Sequence, residues 1–202
     1  MYSRPQFKMP SEKCLDLIQN KPFGLLSTCL EGRVTQAFLP FLLDRQANCL
    51  YGHLAIQNEQ INALASCQDL RVTFQGEQAY ISPSWYESSE QVPTWNYQVV
   101  SVTGKADLLN DQETLEIITK LSNYHEAQFD QPWTINKLPQ RKIEAMLNAI
   151  VGIRIDILEI VGINKMSQNK MESDQRGVVV GLKNQSDHSS IKIAKIIANK
   201  GD

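Results

Sequence analysis

Tyr80, Trp85, Tyr86, Trp95 and Tyr97 crowd into one short stretch of the chain, interleaved with Ser82, Ser84, Thr94 and Asn96. Aromatic faces with short hydrogen-bonding side chains between them suit a flat heteroaromatic ligand, whose faces take apolar cover and whose edge atoms take fixed polar partners. The same residues would equally fill a core with their polar tips satisfied, so this pattern alone leaves both readings open. Two further stretches can meet an anion. Gly52-His53-Leu54-Ala55-Ile56-Gln57-Asn58 stands at a strand-to-helix junction, where amides at a helix start, together with His53 and Asn58, can receive a phosphate. Lys165-Met166-Ser167-Gln168-Asn169 sets a cation beside Ser167 and Gln168 in a turn. Such stretches also occur as plain helix caps and solvated loops.

Absent motifs narrow the chemistry. The sequence has no GxGxxG, GxxxxGK[ST] or GxSxG pattern, which removes the common nucleotide and hydrolase signatures. His53, His125 and His188 are its only histidines and form no HExxH pair, so no protein-bound metal is expected. Ser82 and Ser84 have no base nearby in sequence to activate them, and no catalytic residue is assigned. Cys14, Cys29, Cys49 and Cys67 contain no CxxC pair and are expected to be free thiols packed as small hydrophobes.

The elements that must position these residues are mostly strands. A short helix is expected over Ser11 to Asn20, ended by Pro22. Gly24 to Thr28, a Glu31-Gly32-Arg33 turn and Val34 to Leu43 read as a hairpin. Cys49 to Leu54 is a further strand, followed by a helix capped by Asn58 and carrying Ile61, Leu64 and Ala65. Arg71 to Gln75 and Gln78 to Ser82 read as two strands, Ser82 to Ser89 as a loop and Trp95 to Leu109 as a long β-branched strand. Asn110 with Glu113 forms a capping box for a helix whose buried stripe is Leu115, Ile118 and Leu121. A second helix covers Gln140 to Ala149 and a last strand Val151 to Ile160. Five to seven strands without regular strand-helix alternation predict a mainly β fold with flanking helices (α+β), a barrel with helices outside it. One domain over residues 1–202 is expected, with a C-terminal amphipathic helix over residues 189–200.

With 42% hydrophobic residues, 21% charged residues and a formal net charge of −2, the chain is an ordinary globular protein with no overall basic excess for holding duplex nucleic acid. No apolar run approaches the length of a membrane-spanning helix and the first residues do not read as a signal peptide, so a cytoplasmic location is expected and no membrane partner. No helix-turn-helix is visible, because a long loop containing Trp133 separates the helices after Asn110 and Gln140. Any contact with DNA would fall to Lys192, Lys195 and Lys200.

Several of these stretches together resemble the PaiB-like FMN-binding negative transcriptional regulators. The matching residues are Met1-Tyr2, Pro22-Phe23-Gly24 with Leu26, Leu39-Pro40-Phe41, Gly52-His53 with Asn58 and Phe74-Gln75-Gly76. They continue through Ala79-Tyr80-Ile81-Ser82-Pro83-Ser84-Trp85-Tyr86, Val92-Pro93-Thr94-Trp95-Asn96-Tyr97, Ile150-Val151-Gly152 and Lys165-Met166-Ser167-Gln168-Asn169. The resemblance implies a split β-barrel of the FMN-binding type, as in pyridoxamine-phosphate oxidases and flavin reductases, forming a homodimer with FMN at the subunit interface. It implies that His53 and Asn58 face the FMN phosphate, that the segments holding Tyr80, Ser82, Ser84, Trp85, Thr94, Trp95 and Asn96 line the ring, and that Lys165, Ser167 and Gln168 close the pocket. This chain departs from the family pattern at Phe38, Gln78 and Ser101, which stand at usual histidine positions. The functions left open are an FMN-binding regulator with DNA or another regulatory partner, a flavin-dependent oxidoreductase, and a dimer that has lost its cofactor.

Overall fold

The structure, a computed structural model, describes residues 1–66 and 70–199; Cys67 and Lys200, named above, lie outside them. The chain forms two compact units that interleave in sequence. The first takes Met1–Cys14, Gln75–Val100 and the chain from Val161 on; the second takes Leu15–Phe74 and Ser101–Ile160.

The second unit begins with most of helix α1 (Ser11–Asn20). Strand β2 (Phe23–Leu30) then folds back on β3 (Arg33–Pro40), in register from Phe23 opposite Pro40 to Leu30 opposite Arg33. Glu31 and Gly32 turn the hairpin with φ of 51° and 80°, a pair of left-handed residues whose twist matches the strands they join. The run expected to continue to Leu43 breaks after Pro40. Proline has no N–H for the ladder, and the Phe41 amide donates instead to the Pro22 carbonyl at 2.8 Å. Strand β4 (Leu42–Asp44) therefore starts afresh and pairs with β5 (Cys49–Ala55).

Helix α2 (Gln60–Ser66) is pinned by the buried Gln60 amide, which donates to Thr28 Oγ1 and to the Leu26 and Thr35 carbonyls. Helix α3 (Asp111–Glu126) carries the expected capping box, with the Asn110 side chain on the Glu113 amide and the Glu113 carboxylate on the Asn110 amide, both at 3.0 Å. Its buried face is Thr114, Ile117, Ile118 and Leu121, while Leu115 is only half-buried. Helix α4 (Gln140–Leu147) follows. The core of this unit includes Leu26, Phe41, Leu50, Val72, Phe74, Ile153 and Ile155, all with almost no exposure. Each such side chain contributes about 1.5–3 kcal/mol by leaving water.

Three long strands run through both units: β6 (Leu70–Ile81), β7 (Thr94–Leu108) and β8 (Ile150–Lys165). β6 is one strand where two are expected from sequence. Its buried positions are Leu70, Val72 and Phe74 and then Ala79 and Ile81, so the alternation changes phase between Gln75 and Gln78 while the strand continues. β8 runs on to Lys165, which places the start of the Lys165–Asn169 stretch on a strand end. The hydrogen-bonded order is β3-β2-β6-β7-β8-β5-β4, with β1 (Lys8–Met9) also on β8.

In the first unit β1 pairs with β8 through Lys8 opposite Ile163 and Met9 opposite Gly162. Helices α5 (Glu172–Lys183) and α6 (His188–Ala198) bury Val178, Leu182, Ile193, Ala194 and Ile197 in one cluster with Ala79, Ile81, Tyr86 and Met166. Lys192 on α6 is drawn to Glu77 at 3.2 Å, so it is no free member of a basic face.

Cys14, Cys29 and Cys49 are free. Cys14 and Cys49 are buried as expected, and burial pushes the Cys14 thiol up to about 11. Cys29 departs from the expected packing and is exposed, because it sits on the outward side of β2 near the hairpin turn.

Candidate functional site

The first unit holds a cavity of about 440 Å³, within the range of small-molecule sites. Thr94 and Asn96, two apart on β7, and Ile163 and Lys165, two apart on β8, each share a strand face by the period of the pleat, and all four line it. Ser167 and Lys170 enter from the turn after β8; Tyr2, Arg4 and Phe7 enter from the N-terminal segment; Tyr86 and Tyr97 complete the aromatic lining.

Asn96 has no exposure, and its side chain is fixed by Ser167, whose Oγ lies 2.9 Å from Nδ2 and 3.3 Å from Oδ1. Ser167 reaches this position with φ of 59°, a left-handed conformation uncommon for a residue with a Cβ. Lys165 Nζ donates to Thr94 Oγ1. Lys170 Nζ donates to Gln91 Oε1 at 2.5 Å and stands 4.9 Å above the centre of the Tyr86 ring. Burial, then the charges of Lys170 and Arg4, lower the affinity of Lys165 for its proton.

The loop beside the cavity is tied down by one carboxylate. Asp174 accepts from the amides of Glu87 and Ser88 at 3.0 and 2.9 Å and from Ser88 Oγ at 2.7 Å. The hydrogen bonds from the Ser88 amide and hydroxyl, and that from Glu87, hold its carboxyl below the ordinary range.

Of the residues picked from sequence, the cavity brings together Thr94, Asn96, Lys165 and Ser167. The others in this unit do different work. Ser82 and Ser84 bond each other at 2.8 Å and shape a 3-10 turn at Pro83–Trp85. Trp85 is wedged onto α5, where a Cβ on Gly177 would lie 1.9 Å from its carbonyl oxygen and one on Gly181 would lie 2.2 Å from its indole. Tyr80 and Trp95 form an exposed edge-to-face pair with centres 5.9 Å apart. Gln168 braces the turn, donating to the Gln6 and Asn164 carbonyls and accepting from the Met166 amide. His53 and Asn58 belong to the second unit. Asn58 Oδ1 is taken by the Gln60 amide at 2.9 Å, whereas His53 Nδ1 is buried without a partner, and burial lowers the affinity of the ring for a proton.

Sequence reading missed Arg4 and Lys170. Only their neighbours carried a signal, Met1-Tyr2 before one and Lys165 to Asn169 before the other, because nothing local distinguishes an exposed arginine or a loop lysine from a solvated charge. The lining fits a flavin nucleotide by its donor set: aromatic faces, a fixed amide and hydroxyls for edge atoms, and cations for a phosphate. Among the described residues no group of three or more His, Cys, Asp or Glu is placed to hold a metal ion, and no helix is long and apolar enough to cross a membrane.

Residues 1–159 match the family described as "Putative FMN-binding domain". The chain is 35% identical to the protease synthase and sporulation protein PAI 2 of Bacillus subtilis (strain 168), over 99% of this chain and 98% of that protein. Among solved structures, the flavocytochrome Anf3 from Azotobacter vinelandii superposes with a TM-score of 0.61 at 13% identity, over 81% of this chain and 72% of that one. The FAD and heme binding protein from Mycobacterium smegmatis superposes with a TM-score of 0.57 at 14% identity, over 77% and 71%. These likenesses show the fold, mainly antiparallel β with flanking helices, of the split-barrel type.

Proposed function

The chain belongs to the FMN-binding family of PaiB-like proteins, and from that membership we propose that it is a cytoplasmic, homodimeric regulatory protein that binds FMN. The observation that carries the reading is the cavity of the first unit, where a buried Asn96 amide held by Ser167 stands among aromatic side chains and cations. Thr94, Asn96, Lys165 and Ser167 would hold the nucleotide. Asn96 and Ser167 present fixed donors and acceptors to edge atoms, and the Lys165 ammonium, steadied by Thr94, presents charge. His53, with a buried nitrogen left open, is a separate candidate contact. A bound flavin would supply one- or two-electron redox chemistry, which needs orientation and electrostatics from the protein rather than a catalytic side chain. The name of the Bacillus subtilis relative, tied to protease synthesis and sporulation, supports a regulatory role. The pairing of Lys192 with Glu77 leaves the C-terminal helix less free charge to offer DNA.

The test is a visible spectrum of the freshly purified protein followed by titration with FMN, read by flavin fluorescence. Saturable binding in the micromolar range is expected, and a folded protein that binds no flavin overturns the proposal. NAD(P)H oxidation well above the rate with free FMN would move the assignment to a flavin-dependent oxidoreductase.

A further inference from the structure

Residues 87–93 join Tyr86 to Thr94, two walls of the first unit's cavity, and add Val92 to its lining. They belong to no helix or strand, and among the described residues they make no backbone-to-backbone hydrogen bond. Two side chains from one neighbouring stretch hold them instead. Asp174, with almost no exposure, accepts from the Glu87 and Ser88 amides and the Ser88 hydroxyl, and Lys170 donates to Gln91, whose own amide donates to Ser88 Oγ at 2.7 Å. Both ends of the segment are firm, since Trp85 is wedged onto α5 and β7 begins at Thr94. Between them Glu90 turns the chain with φ of 62°. A segment fixed at its ends and held in its middle by side chains alone can open without unfolding what it rests on.

We propose that residues 87–93 are a lid on the cavity, latched by Asp174 and Lys170, and that release of this latch sets how fast a ligand enters and leaves. That the ligand is FMN rests on the reading above; the lid itself rests on the bonds that Asp174 and Lys170 make. The cavity side of the lid is unfinished in a way that a ligand completes. The Tyr86 hydroxyl is buried without a partner, and Val92 keeps 68% of its surface exposed although it lines the cavity. Opening breaks the bonds to Asp174 and Lys170 and leaves the cluster between α5, α6 and the sheet intact. The carboxylate is the stronger half of the latch, because it receives three hydrogen bonds as an anion while Lys170 supplies one.

The experiment uses the full chain, native and as Asp174→Asn and Ser88→Ala, each first shown to be folded by circular dichroism. Hydrogen exchange read by mass spectrometry follows the opening of residues 87–93 without any flavin, and stopped-flow flavin fluorescence follows FMN entry and release. In Asp174→Asn, exchange over residues 87–93 is expected to quicken at least about tenfold, the scale of one lost charge-assisted contact, and to stay indifferent to urea below the unfolding range, the mark of a local opening. FMN entry and release should both quicken several-fold, so that affinity moves less than either rate; a purely structural role for Asp174 would not speed entry. Ser88→Ala, which removes only the hydroxyl bond, should show the same changes to a smaller extent. Exchange over residues 87–93 that rises with urea as steeply as that of residues 95–102 in β7 shows that the segment opens only when the unit unfolds, and overturns the lid. Local opening with unchanged FMN entry overturns the gating and leaves FMN binding standing. A protein that binds no FMN overturns the FMN reading; thiol labelling of Ser167→Cys in the cavity wall, mapped by mass spectrometry, then decides the lid, which stands if Asp174→Asn speeds that labelling without regard to urea and falls if the rate is unchanged.

Discussion

Gly177 and Gly181 lie one helical turn apart on α5 and give the sharpest test of how the first unit is packed. A Cβ at Gly177 would stand 1.9 Å from the Trp85 carbonyl oxygen, well inside the 3.0 Å that real Cβ contacts respect, and that oxygen belongs to backbone. At Gly181 the Cβ would stand 2.2 Å from the indole, which is a side chain and can rotate away. Two effects compete in Gly177→Ala. Alanine in a helix interior is favoured over glycine by about 0.8–1 kcal/mol, and overpacking a filled site costs about 1–3 kcal/mol. Because Trp85 cannot give way without moving its main chain, overpacking wins, and a net loss of about 1–2 kcal/mol follows. At an m-value of about 2 kcal/mol per molar, the urea midpoint falls by roughly 0.5–1 M. The control is Trp85→Ala, which removes the indole but not the carbonyl. In that background Gly181→Ala should become neutral or stabilising, while Gly177→Ala should still destabilise. A Gly177→Ala protein more stable than the parent, or a Trp85→Ala background that rescues both glycines alike, would refute the wedge between the 3-10 turn and α5.

Ser167→Ala removes the hydroxyl that satisfies the fully buried Asn96 amide and should cost about 1–3 kcal/mol in denaturant unfolding; Ser167→Gly, which relieves the positive φ, should cost less, and equal losses would dismiss the strain. The Asp174 carboxyl is held below its ordinary range, so its contribution is complete above the unfolded carboxylate value near 4 and disappears as pH falls through the folded one. Asp174→Asn should therefore be less stable at pH 7 and show a shallower loss below pH 4; acid unfolding curves that run parallel to the parent's would contradict this. Trp95 lies outside the cavity in an exposed pair with Tyr80, so Trp95→Ala should leave FMN affinity within about twofold, the change expected of a residue without ligand contact; a loss above about tenfold would put the flavin against that aromatic pair instead.

What was legible in the chain was local. The capping box at Asn110 and Glu113 announces α3 because two short-range hydrogen bonds fix a helix start whatever packs on it. The hairpin before Arg33 was equally plain, since Glu31-Gly32 supplies the two left-handed residues that a tight turn needs. The split of β6 into two strands failed for an equally physical reason. Its burial changes phase between Phe74 and Ala79, and period-two patterning reads a phase change as an ending even though backbone hydrogen bonding continues. Aromatic clustering does not say which surface each ring meets: Trp85 packs on α5 and Trp95 is half-exposed, because a tryptophan's type carries no record of its surroundings.

The cavity shows why the remaining part of the site could not be read along the chain. A sequence of net charge −2 builds a pocket wall with three cations and no acid. That imbalance is a property of the neighbourhood, produced when the strand pairing of Lys8 and Met9 with β8 carries the N-terminal segment to the turn that follows Lys165. Neither Arg4 nor Lys170 has a local pattern that marks it as anything but a solvated charge. Their meaning comes from what is missing between them, a counter-ion, and a single carboxylate placed on that wall would reduce the excess of positive charge. Val92 lines the cavity as well, so Val92→Asp supplies that carboxylate directly: it should lower the preference for FMN over riboflavin several-fold, and a preference left unchanged would show that the phosphate is held elsewhere.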